Sequence, residues 1–405
     1  MDAFKIKPYR LINKIQHYAW GTKNDRAFIA QLLGLQPQPD LPYAELWMGT
    51  HPNAPSEVET ARGRVPLNAF IQAFPREILG ERVVKQFGAR LPFLFKVLSA
   101  AEALSIQAHP NKEQAVALHR RDPQHYPDDN HKPEIAIALD HLTALVGFCS
   151  AQEITDMLIA YPEIADFVGQ NLVREFEQSS ADKRPSVFKR LFSALIKKGA
   201  DNIRELETVL MRLQKRLQEK KVRNEKEVLF LQLRQKYHTD IGLLVIFFLN
   251  LLRLNKGQGV FLKAGLPHAY VSGNIVECMA NSDNVVRAGL TPKFKDVKTL
   301  TDILDYHLGP VHIYKANEQS QAFVYRVPVP EFAIRRLKLS EGLLLQHRLT
   351  SIEICIIIKG EVTVACEGQA LTFKQGDSVL FPAALQHLVI NALTPAEIFC
   401  AFIPE

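Results

Sequence analysis

The sequence predicts a mainly β protein with an α-helical insertion, in which two jelly-roll β-barrels accompany one helical domain. Short strand-like segments separated by Pro, Asn, Asp and Gly fill residues 1–150 and return after residue 242. The residues between them have the apolar spacing of helices. The second β-rich part also contains an internal repeat, which is typical of two related units. A chain of 405 residues is long enough for this arrangement.

The helical insertion is predicted over residues 151–242. One helix within it is expected over residues 187–198, because Pro185 and Ser186 precede this run and Gly199 follows it. The insertion contains no group of His, Cys or carboxylates at metal-binding spacing, so we predict that it is structural. Its clearest signal is a stripe of apolar residues at intervals of three and four, formed by Ile203, Leu206, Leu210, Leu213 and Leu217.

A pattern of glycine, apolar strand, corner and histidine occurs twice after the insertion. One copy runs from Gly257 to His268, and the other runs from Gly376 to His387. The pattern resembles the second sequence motif of cupin barrels, whose histidine points into the barrel. Two copies about 120 residues apart indicate two jelly-roll units. We therefore predict a catalytic cupin domain at 1–150 and 243–320, a helical domain at 151–242, and a C-terminal cupin domain at 321–405.

Composition and charge argue against several classes of protein. The charged fraction is 23% and the net charge is +6, without the concentrated basic patches of nucleic-acid-binding proteins. The five cysteines are widely separated and lack a CxxC pair, so we expect no disulfide framework and a reducing compartment. The first residues lack a signal-peptide core, and the most apolar run, residues 243–252, is too short to span a bilayer. We expect a cytoplasmic protein that binds neither nucleic acid nor membranes.

The segment Leu104-Ser-Ile-Gln-Ala-His-Pro110 carries the first candidate site residues. Alternate side chains of a strand share a face, so Ser105, Gln107 and His109 project together. A barrel interior is normally filled by apolar groups. Three inward polar side chains therefore need hydrogen-bond partners or a ligand.

Two further segments complete a set of metal-binding side chains. In Asn130-His-Lys-Pro-Glu-Ile-Ala-Ile-Ala-Leu139, Lys132 and Glu134 share a strand face. The repeat described above supplies one more histidine. Two imidazoles, a carboxylate and an amide oxygen suit Zn²⁺ with room for a water or substrate oxygen, and Mn²⁺ and Fe²⁺ remain alternatives. The predicted metal ligands are Gln107, His109, Glu134 and His268.

A third segment, from Val276 to Lys293, combines acidic and basic residues. One interpretation is a polar loop held by salt bridges. The other is a wall that binds an anion and transfers a proton. Arginine binds phosphate through paired hydrogen bonds, and a carboxylate or desolvated lysine can move a proton next to a carbonyl. The residues concerned are Glu277, Asp283, Arg287 and Lys293.

These motifs resemble those of the type I phosphomannose isomerase family within the cupin superfamily. The resemblance is dense over residues 10–150 and 243–300 and thin elsewhere. It implies a catalytic cupin barrel, a helical domain and a second cupin barrel. The runs that carry it are Tyr18-Ala-Trp-Gly21, Ala44-Glu-Leu-Trp-Met-Gly-Thr-His-Pro52, Leu91-Pro-Phe-Leu-Phe-Lys-Val-Leu98, Leu104-Ser-Ile-Gln-Ala-His-Pro110, His131-Lys-Pro-Glu134, Pro267-His-Ala-Tyr270 and Ala280-Asn-Ser-Asp-Asn-Val-Val-Arg-Ala-Gly-Leu-Thr-Pro-Lys293.

The resemblance also implies an activity, the isomerisation of mannose 6-phosphate and fructose 6-phosphate through a cis-enediol, with one zinc ion per chain. Arg287 would be the active-site arginine, and Glu277 and Lys293 would transfer the proton. His131 and Lys132 would assist ring opening. We expect a monomer acting on a small-molecule sugar phosphate. The residues expected near the substrate and its phosphate are Lys96, Ser105, Lys132, Arg287 and Trp20.

Other interpretations of the same motifs stay open. The motifs also allow a cupin isomerase of another sugar phosphate, such as glucose 6-phosphate. A non-catalytic sugar-binding cupin would tolerate loss of Glu277 and Lys293, yet both are present. A cupin oxygenase requires a redox-active metal, often held by three His and a Glu, and Gln107 together with the basic residues argues against it.

The C-terminal repeat keeps only part of a cupin metal pattern. His347, Glu353 and His387 match that pattern, but Leu349 stands where the second histidine is expected. We therefore predict a structural barrel without a second metal in this part of the chain.

Overall fold

The structure is a computed structural model that describes residues 4–61, 63–317, 319–366 and 368–405. It is rich in β-sheet, as the sequence predicts. The strands are β1 Tyr9–Ile12, β2 Lys14–Gln16, β3 Glu45–Gly49, β4 Glu57–Thr60, β5 Gly63–Pro66, β6 Phe93–Ala100, β7 Ile106–Ala108, β8 Glu134–Phe148, β9 Leu249–Asn255, β10 Gln258–Leu262, β11 His268–Ala280, β12 Val286–Gly289, β13 Ile313–Lys315, β14 Ala322–Tyr325, β15 Ala333–Leu339, β16 Leu344–Arg348, β17 Glu353–Lys359, β18 Glu361–Cys366, β19 Gln369–Lys374, β20 Ser378–Phe381, β21 His387–Ala392 and β22 Ala396–Phe402.

Helices concentrate between β8 and β9, where the helical insertion was predicted. In the described parts of the chain, no helix combines the length and the apolar character needed to cross a membrane. The helices are α1 Phe28–Leu32, α2 Leu67–Ala73, α3 Pro75–Leu79, α4 Glu81–Phe87, α5 Lys112–Arg121, α6 Ala151–Ala160, α7 Pro162–Val168, α8 Gln170–Gln178, α9 Arg184–Asp201, α10 Ile203–Glu219, α11 Glu225–Tyr237, α12 Gly242–Val245 and α13 Val297–Ile303, with short 3-10 turns at Asn24–Arg26, Ile246–Phe248 and Ala383–Leu385.

The predicted helix at residues 187–198 lies within the longer α9, and Gly199 does not end it. A Cβ atom at Gly199 would lie 2.5 Å from the side chain of Ile241, so this glycine allows close packing instead. The predicted stripe on α10 is buried at four of its five positions. Ile203 is the exception with 55% exposure, because it is the first residue of the helix.

A ten-stranded sheet contains the strands that carry the candidate site. Its main path is β13-β10-β8-β11-β6-β3-β2, with β9 beside β8, and β7 beside β11 and β12. The long strand β11 pairs with β7 at His268 and with β6 from Gly273 to Ala280. Two register shifts, at Tyr270/Ser272 and Gly273/Ile275, interrupt its pairing with β8. One strand therefore brings residues from distant segments to the same sheet.

Three of the N-terminal strands, β1, β4 and β5, belong to a different sheet. An eight-stranded sheet has the order β14-β15-β22-β17-β20-β1-β4-β5, and a four-stranded sheet has the order β16-β21-β18-β19. Tyr9 of β1 lies opposite Leu380 of β20. The sequence grouped residues 1–150 in one unit, whereas β1 pairs with β20 of the C-terminal part and joins β4 and β5 to the same sheet. The division of the chain into domains stays a prediction.

Two of the five cysteines form a disulfide. Cys355 and Cys400 lie directly opposite each other on β17 and β22 and are joined, whereas the sequence analysis predicts only that a disulfide framework is absent. Cys149, Cys278 and Cys366 are free and buried. No local sequence pattern indicates the pair, because the two residues are 45 positions apart and meet only through strand pairing.

In the C-terminal part, Arg335 forms a buried ion cluster with His347 and Glu353, two residues of the partial metal pattern. Nη1 of Arg335 lies 3.1 Å from Nε2 of His347 and 2.5 Å from Oε1 of Glu353, and His347 Nε2 lies 2.9 Å from Glu353 Oε2. Burial raises the pKa of the Glu353 carboxyl, but the His347 hydrogen bond and the Arg335 charge outweigh burial and hold this pKa below its ordinary value. The guanidinium therefore neutralises the carboxylate.

We expect Glu353→Gln to lower the free energy of unfolding by about 3 kcal/mol at pH 7, because it leaves the Arg335 charge buried without its counterion. The folded-state pKa of Glu353 lies below the ordinary 4.5, so its stabilisation is complete above pH 4.5 and is lost as the pH falls through that lower value. Urea unfolding at several pH values measures both effects. The exposed Glu341→Gln is the control, and an equal effect of both variants would contradict the prediction.

Candidate active site

Three of the predicted metal ligands form a compact buried group. Nε2 of His109 lies 3.4 Å from Oε2 of Glu134, and Nε2 of His268 lies 3.3 Å from the same oxygen. The ligand atoms of the three residues all lie within 4.8 Å of one another. Each side chain is almost completely buried. Because β7, β8 and β11 are neighbours in the sheet, these distant segments present their side chains to one point.

Both imidazoles are oriented as metal ligands require. Nδ1 of His109 lies 2.8 Å from the carbonyl oxygen of Asn284, and Nδ1 of His268 lies 2.9 Å from that of Leu266. Donation of the Nδ1 proton to these carbonyls leaves each Nε2 with a free lone pair. Burial lowers the pKa of His109 to about 4, so its ring is neutral at pH 7. A neutral imidazole is the form that binds a metal.

The carboxylate of Glu134 is also in its metal-binding form. Burial raises its pKa, but the charge of Lys132, which is the largest opposing effect, and the two adjacent imidazoles outweigh burial and hold the pKa well below the ordinary value. Lys132 Nζ lies 3.1 Å from Glu134 Oε1. The other oxygen, Oε2, and Nε2 of His109 are buried without a hydrogen-bond partner. Such orphaned atoms are costly unless a ligand satisfies them, and a metal ion fits this need.

Gln107 completes the predicted ligand set. Its Nε2 lies 3.5 Å from Nε2 of His268, and its Oε1 accepts a hydrogen bond from Ser105 Oγ at 3.4 Å. A half-turn of the amide would bring the oxygen to the position of the nitrogen. Ser105 and Gln107 share a face, as the strand alternation predicts. The donor set of two imidazoles, a carboxylate and an amide oxygen fits Zn²⁺.

A second buried group of charges lies beside the metal group. Lys96 Nζ lies 3.3 Å from Glu277 Oε2 and 3.5 Å from Glu45 Oε2. Tyr270 donates a hydrogen bond of 2.7 Å to Glu277 Oε1, and the indole of Trp47 donates to Glu45. Lys96 and Glu277 are directly opposite each other on β6 and β11. We call these residues the Glu277 network.

Burial and neighbouring charges shift the pKa values of Glu277 and Lys96 within the Glu277 network. It raises the pKa of Glu277, and the charge of Lys96 offsets this only in part. Burial alone would lower the pKa of Lys96, but the charges of Glu45 and Glu277 outweigh it and raise that pKa. The network thus pairs a permanently charged ammonium with a carboxyl that holds its proton more tightly than an exposed glutamate. This is the property expected of a group that exchanges protons with a substrate.

Arg287 faces the metal group from the neighbouring strand. It lies opposite Gln107 in the pairing of β12 with β7, and opposed residues of an antiparallel pair share a face. Partial burial lowers the pKa of its guanidinium. Among the residues that the structure describes, no carboxylate forms an ion pair with Arg287. An unneutralised guanidinium beside a metal group is suited to an anionic ligand.

For three predicted site residues, the described contacts do not involve the metal ligands. Lys293 is exposed, and its backbone N–H donates to Thr291 Oγ1. His131 turns to Glu331, with 2.7 Å between Nε2 and Oε1. Trp20 stacks on Tyr18 with 5.7 Å between ring centroids. Their assigned roles stay predictions.

The sequence missed several residues that surround the site. The sequence analysis does not single out His51, but this residue is 5% exposed and lies 3.1 Å from Asp283. Its ring also packs edge-on against Trp47, with centroids 4.7 Å apart. Glu45 and Tyr270 were not singled out either. The alternation of Glu45 and Trp47 on β3 was the available signal, since both share a strand face.

Comparisons with known proteins agree on one family. The catalytic domain of type I phosphomannose isomerase matches residues 9–151, its helical insertion domain matches residues 164–249, and a cupin domain matches residues 341–402. Mannose-6-phosphate isomerase of Bos taurus is 39% identical over 422 residues, covering 98% of this chain and 98% of that protein. The Schizosaccharomyces pombe enzyme of the same name is 41% identical over 352 residues, covering 82% and 84%.

Solved structures give the same result. A zinc-bound mannose 6-phosphate isomerase matches with a TM-score of 0.86 and 30% identity, covering 98% of this chain and 100% of that chain. A point mutant of phosphomannose isomerase from Salmonella typhimurium matches with a TM-score of 0.87 and 30% identity, covering 98% and 99%.

Proposed function

The chain belongs to the type I phosphomannose isomerase family, and from this premise we propose that its buried site interconverts mannose 6-phosphate and fructose 6-phosphate. The protein is an aldose–ketose isomerase that uses zinc. The observation that carries this function is the orphaned pair of atoms, His109 Nε2 and Glu134 Oε2. The neighbouring ligand His268 lies 6.3 Å from Tyr270 of the Glu277 network, measured between ring centroids. A metal site next to a tunable proton-transfer group is what the isomerisation requires.

The residues divide into three roles in the proposed mechanism. Gln107, His109, Glu134 and His268 would hold zinc, which would supply positive charge to stabilise negative charge that develops on oxygen. Glu277 moves the proton between C2 and C1 through a cis-enediol, while Tyr270 and Lys96 orient its two oxygens. Arg287 binds the phosphate, and Lys132 assists ring opening beside Glu134.

Several finer features belong to the same proposal. The two Gly–strand–His copies support two cupin-type barrels with the domain division given above. We keep the monomeric state and the cytoplasmic location as expectations from the sequence. Ser105 remains placed near the substrate through its contact with Gln107. The ring-opening role of His131, the proton-transfer role of Lys293 and the pocket-lining role of Trp20 also remain proposals.

The experiment that tests the function is a coupled assay for fructose 6-phosphate formed from mannose 6-phosphate. Purified protein is assayed as isolated, after chelation, and after zinc is added back. Activity that chelation removes and zinc restores is the expected result, because the site has the donors of a zinc centre. A zinc-loaded protein that is inactive on mannose 6-phosphate but active on glucose 6-phosphate would move the assignment to another sugar phosphate.

Arg287→Ala is expected to lower kcat/KM by about a hundredfold, on the order of the 1.5–3 kcal/mol of a hydrogen bond to a charged group. The reason is that its guanidinium has no protein counterion and is available to the phosphate. Steady-state kinetics with mannose 6-phosphate measures the loss, and Arg287→Lys should recover part of it. The exposed Arg253→Ala is the control. A kcat/KM within twofold of wild type would contradict the assigned role.

A further inference from the structure

An ion pair joins the C-terminal part of the chain to the segment that precedes a metal ligand. His131 Nε2 lies 2.7 Å from Glu331 Oε1, and both side chains are largely buried. Glu331 lies between β14 and β15, 200 positions from His131. The pair therefore connects two regions that are distant in sequence.

The segment from His131 to Pro133 has no regular secondary structure and leads directly into Glu134, the first residue of β8. Neighbouring side chains of an extended segment point in opposite directions. In agreement with this rule, His131 contacts Glu331, whereas Lys132 contacts the carboxylate of Glu134 at 3.1 Å. The orientation of the His131 ring and that of Lys132 are thus linked through one backbone.

Further attachments of this segment and of the preceding Asn130 come from the end of β11 and the turn after it. Asn130 donates to the carbonyl of Asn281 at 2.8 Å, and Ser282 Oγ donates to the carbonyl of Asn130 at 3.0 Å. The N–H of Ala280 donates to the carbonyl of Pro133 at 3.1 Å. These bonds hold the backbone from the side of the ten-stranded sheet. Glu331 holds the His131 side chain from the side of the C-terminal part.

We propose that Glu331 is a positioning residue for the isomerisation. Its carboxylate fixes the His131 ring, and the fixed backbone then presents Lys132 and Glu134 to the metal site. The C-terminal part therefore contributes to the catalytic rate although it supplies none of the proposed zinc ligands. The kinetic part of this inference rests on the proposed function.

The surroundings of the pair provide a specific test. His131 and Glu331 line a cavity of 540 Å³ together with Arg90 and Lys112. Glu331 Oε2 is buried without a hydrogen-bond partner, so a single oxygen, Oε1, makes the contact with the ring. A small carboxylate such as formate fits the space left by the Glu331 side chain and can replace that oxygen.

We expect Glu331→Ala to lower kcat about tenfold per zinc-loaded site, with KM changed less than about twofold. The phosphate-binding Arg287 lies on β12 and is not attached to this segment, so substrate binding should persist. Formate should restore kcat in a saturable manner, and Glu331→Asp should retain part of it. Zinc content per chain, measured in parallel, should equal that of wild type.

Lys256→Ala is the matched control. Lys256 Nζ forms an ion pair with Glu397 of β22, so this variant also removes a contact to the C-terminal part, but away from the His131 segment. It should leave kcat and KM unchanged. If Glu331→Ala does not fold, Glu331→Gln keeps the shape of the side chain and tests the loss of charge.

Three outcomes would overturn the inference. They are an unchanged kcat in Glu331→Ala, a reduced kcat that formate does not restore, and additive losses in the double variant with His131→Ala. If Glu331 and His131 act together, the double variant should lose no more of kcat than either single variant does. Wild-type protein without isomerase activity in the same assay would reject the proposed function itself, so the two failures are distinguishable.

Discussion

His109→Asn is expected to lose zinc and to lower kcat/KM by at least about a thousandfold. The imidazole Nε2 is one of two orphaned buried atoms at the metal group, and its Nδ1 is anchored to the Asn284 carbonyl. Asparagine is too short to place a donor at the same point. Loss of a Lewis acid removes several kcal/mol of transition-state stabilisation, and each 1.4 kcal/mol corresponds to a factor of about ten.

Metal analysis and kinetics on the same preparation measure this effect. His119→Asn is the matched control, because His119 Nδ1 also contacts a backbone carbonyl, that of Tyr126 at 2.7 Å, but lies outside the metal group. The control should retain one zinc per chain and full activity. A His109→Asn protein with wild-type zinc content and activity would remove His109 from the ligand set.

Glu277→Gln is expected to lower kcat by about a thousandfold, within the range of 10² to 10⁴ that a positioned general base contributes. Glutamine keeps the size of the side chain and can still contact Tyr270 and Lys96. It cannot accept the proton from C2 or C1. The effect should therefore fall on kcat, with a smaller change in KM.

The pH profile distinguishes a base from a structural carboxylate. Burial raises the pKa of Glu277 above the ordinary 4.5, so the carboxyl gains its proton at a higher pH than an exposed glutamate does. A protonated base is inactive, and kcat/KM of wild type should fall as the pH decreases through this raised value. If Glu277→Gln removes part of this fall in kcat/KM at low pH, that part results from protonation of Glu277 in the wild type. An activity within tenfold of wild type, or an unchanged acidic limb, would contradict the assignment.

His109→Asn and Glu277→Gln change neighbouring but separate parts of the site. Glu277 lies opposite Lys96 across β11 and β6, while His268 at the other end of β11 lies opposite Gln107. A single strand thus aligns the metal group with the Glu277 network. Loss of zinc and loss of the base should therefore be measurable independently, by metal content and by pH dependence.

Local patterns were sufficient to predict much of the site. The two-residue period of a strand placed Ser105 and Gln107 on one face, and the structure shows them in contact. The four predicted ligands meet in the structure, and the resemblance to the family had grouped them. The helical insertion also follows from local spacing, because a helix places every third or fourth residue on one side. These features depend on neighbours in sequence, which a pattern can record.

Contacts between distant segments had no such signal. Glu45 is a plain strand glutamate in the sequence, and only strand pairing places it near Lys96. No local pattern identifies His51 as a site residue, because its partner Asp283 is 232 positions away. The sequence pattern predicts a helix end at Gly199, whereas the close approach of Ile241 is the reason for a glycine at this position.

The sequence by itself determined that the chain is rich in β-sheet with a helical region, and it supplied the residue types of the metal group. These features follow from periodicity and from motifs within short segments. Only the tertiary structure decided that β1, β4 and β5 join the C-terminal strands, that Arg335 neutralises Glu353, and that His131 turns to Glu331. The physical reason is that these contacts arise when strand register and sheet packing bring remote residues within hydrogen-bond distance. Burial then sets the pKa of groups such as Glu277, and burial is a property of the folded chain.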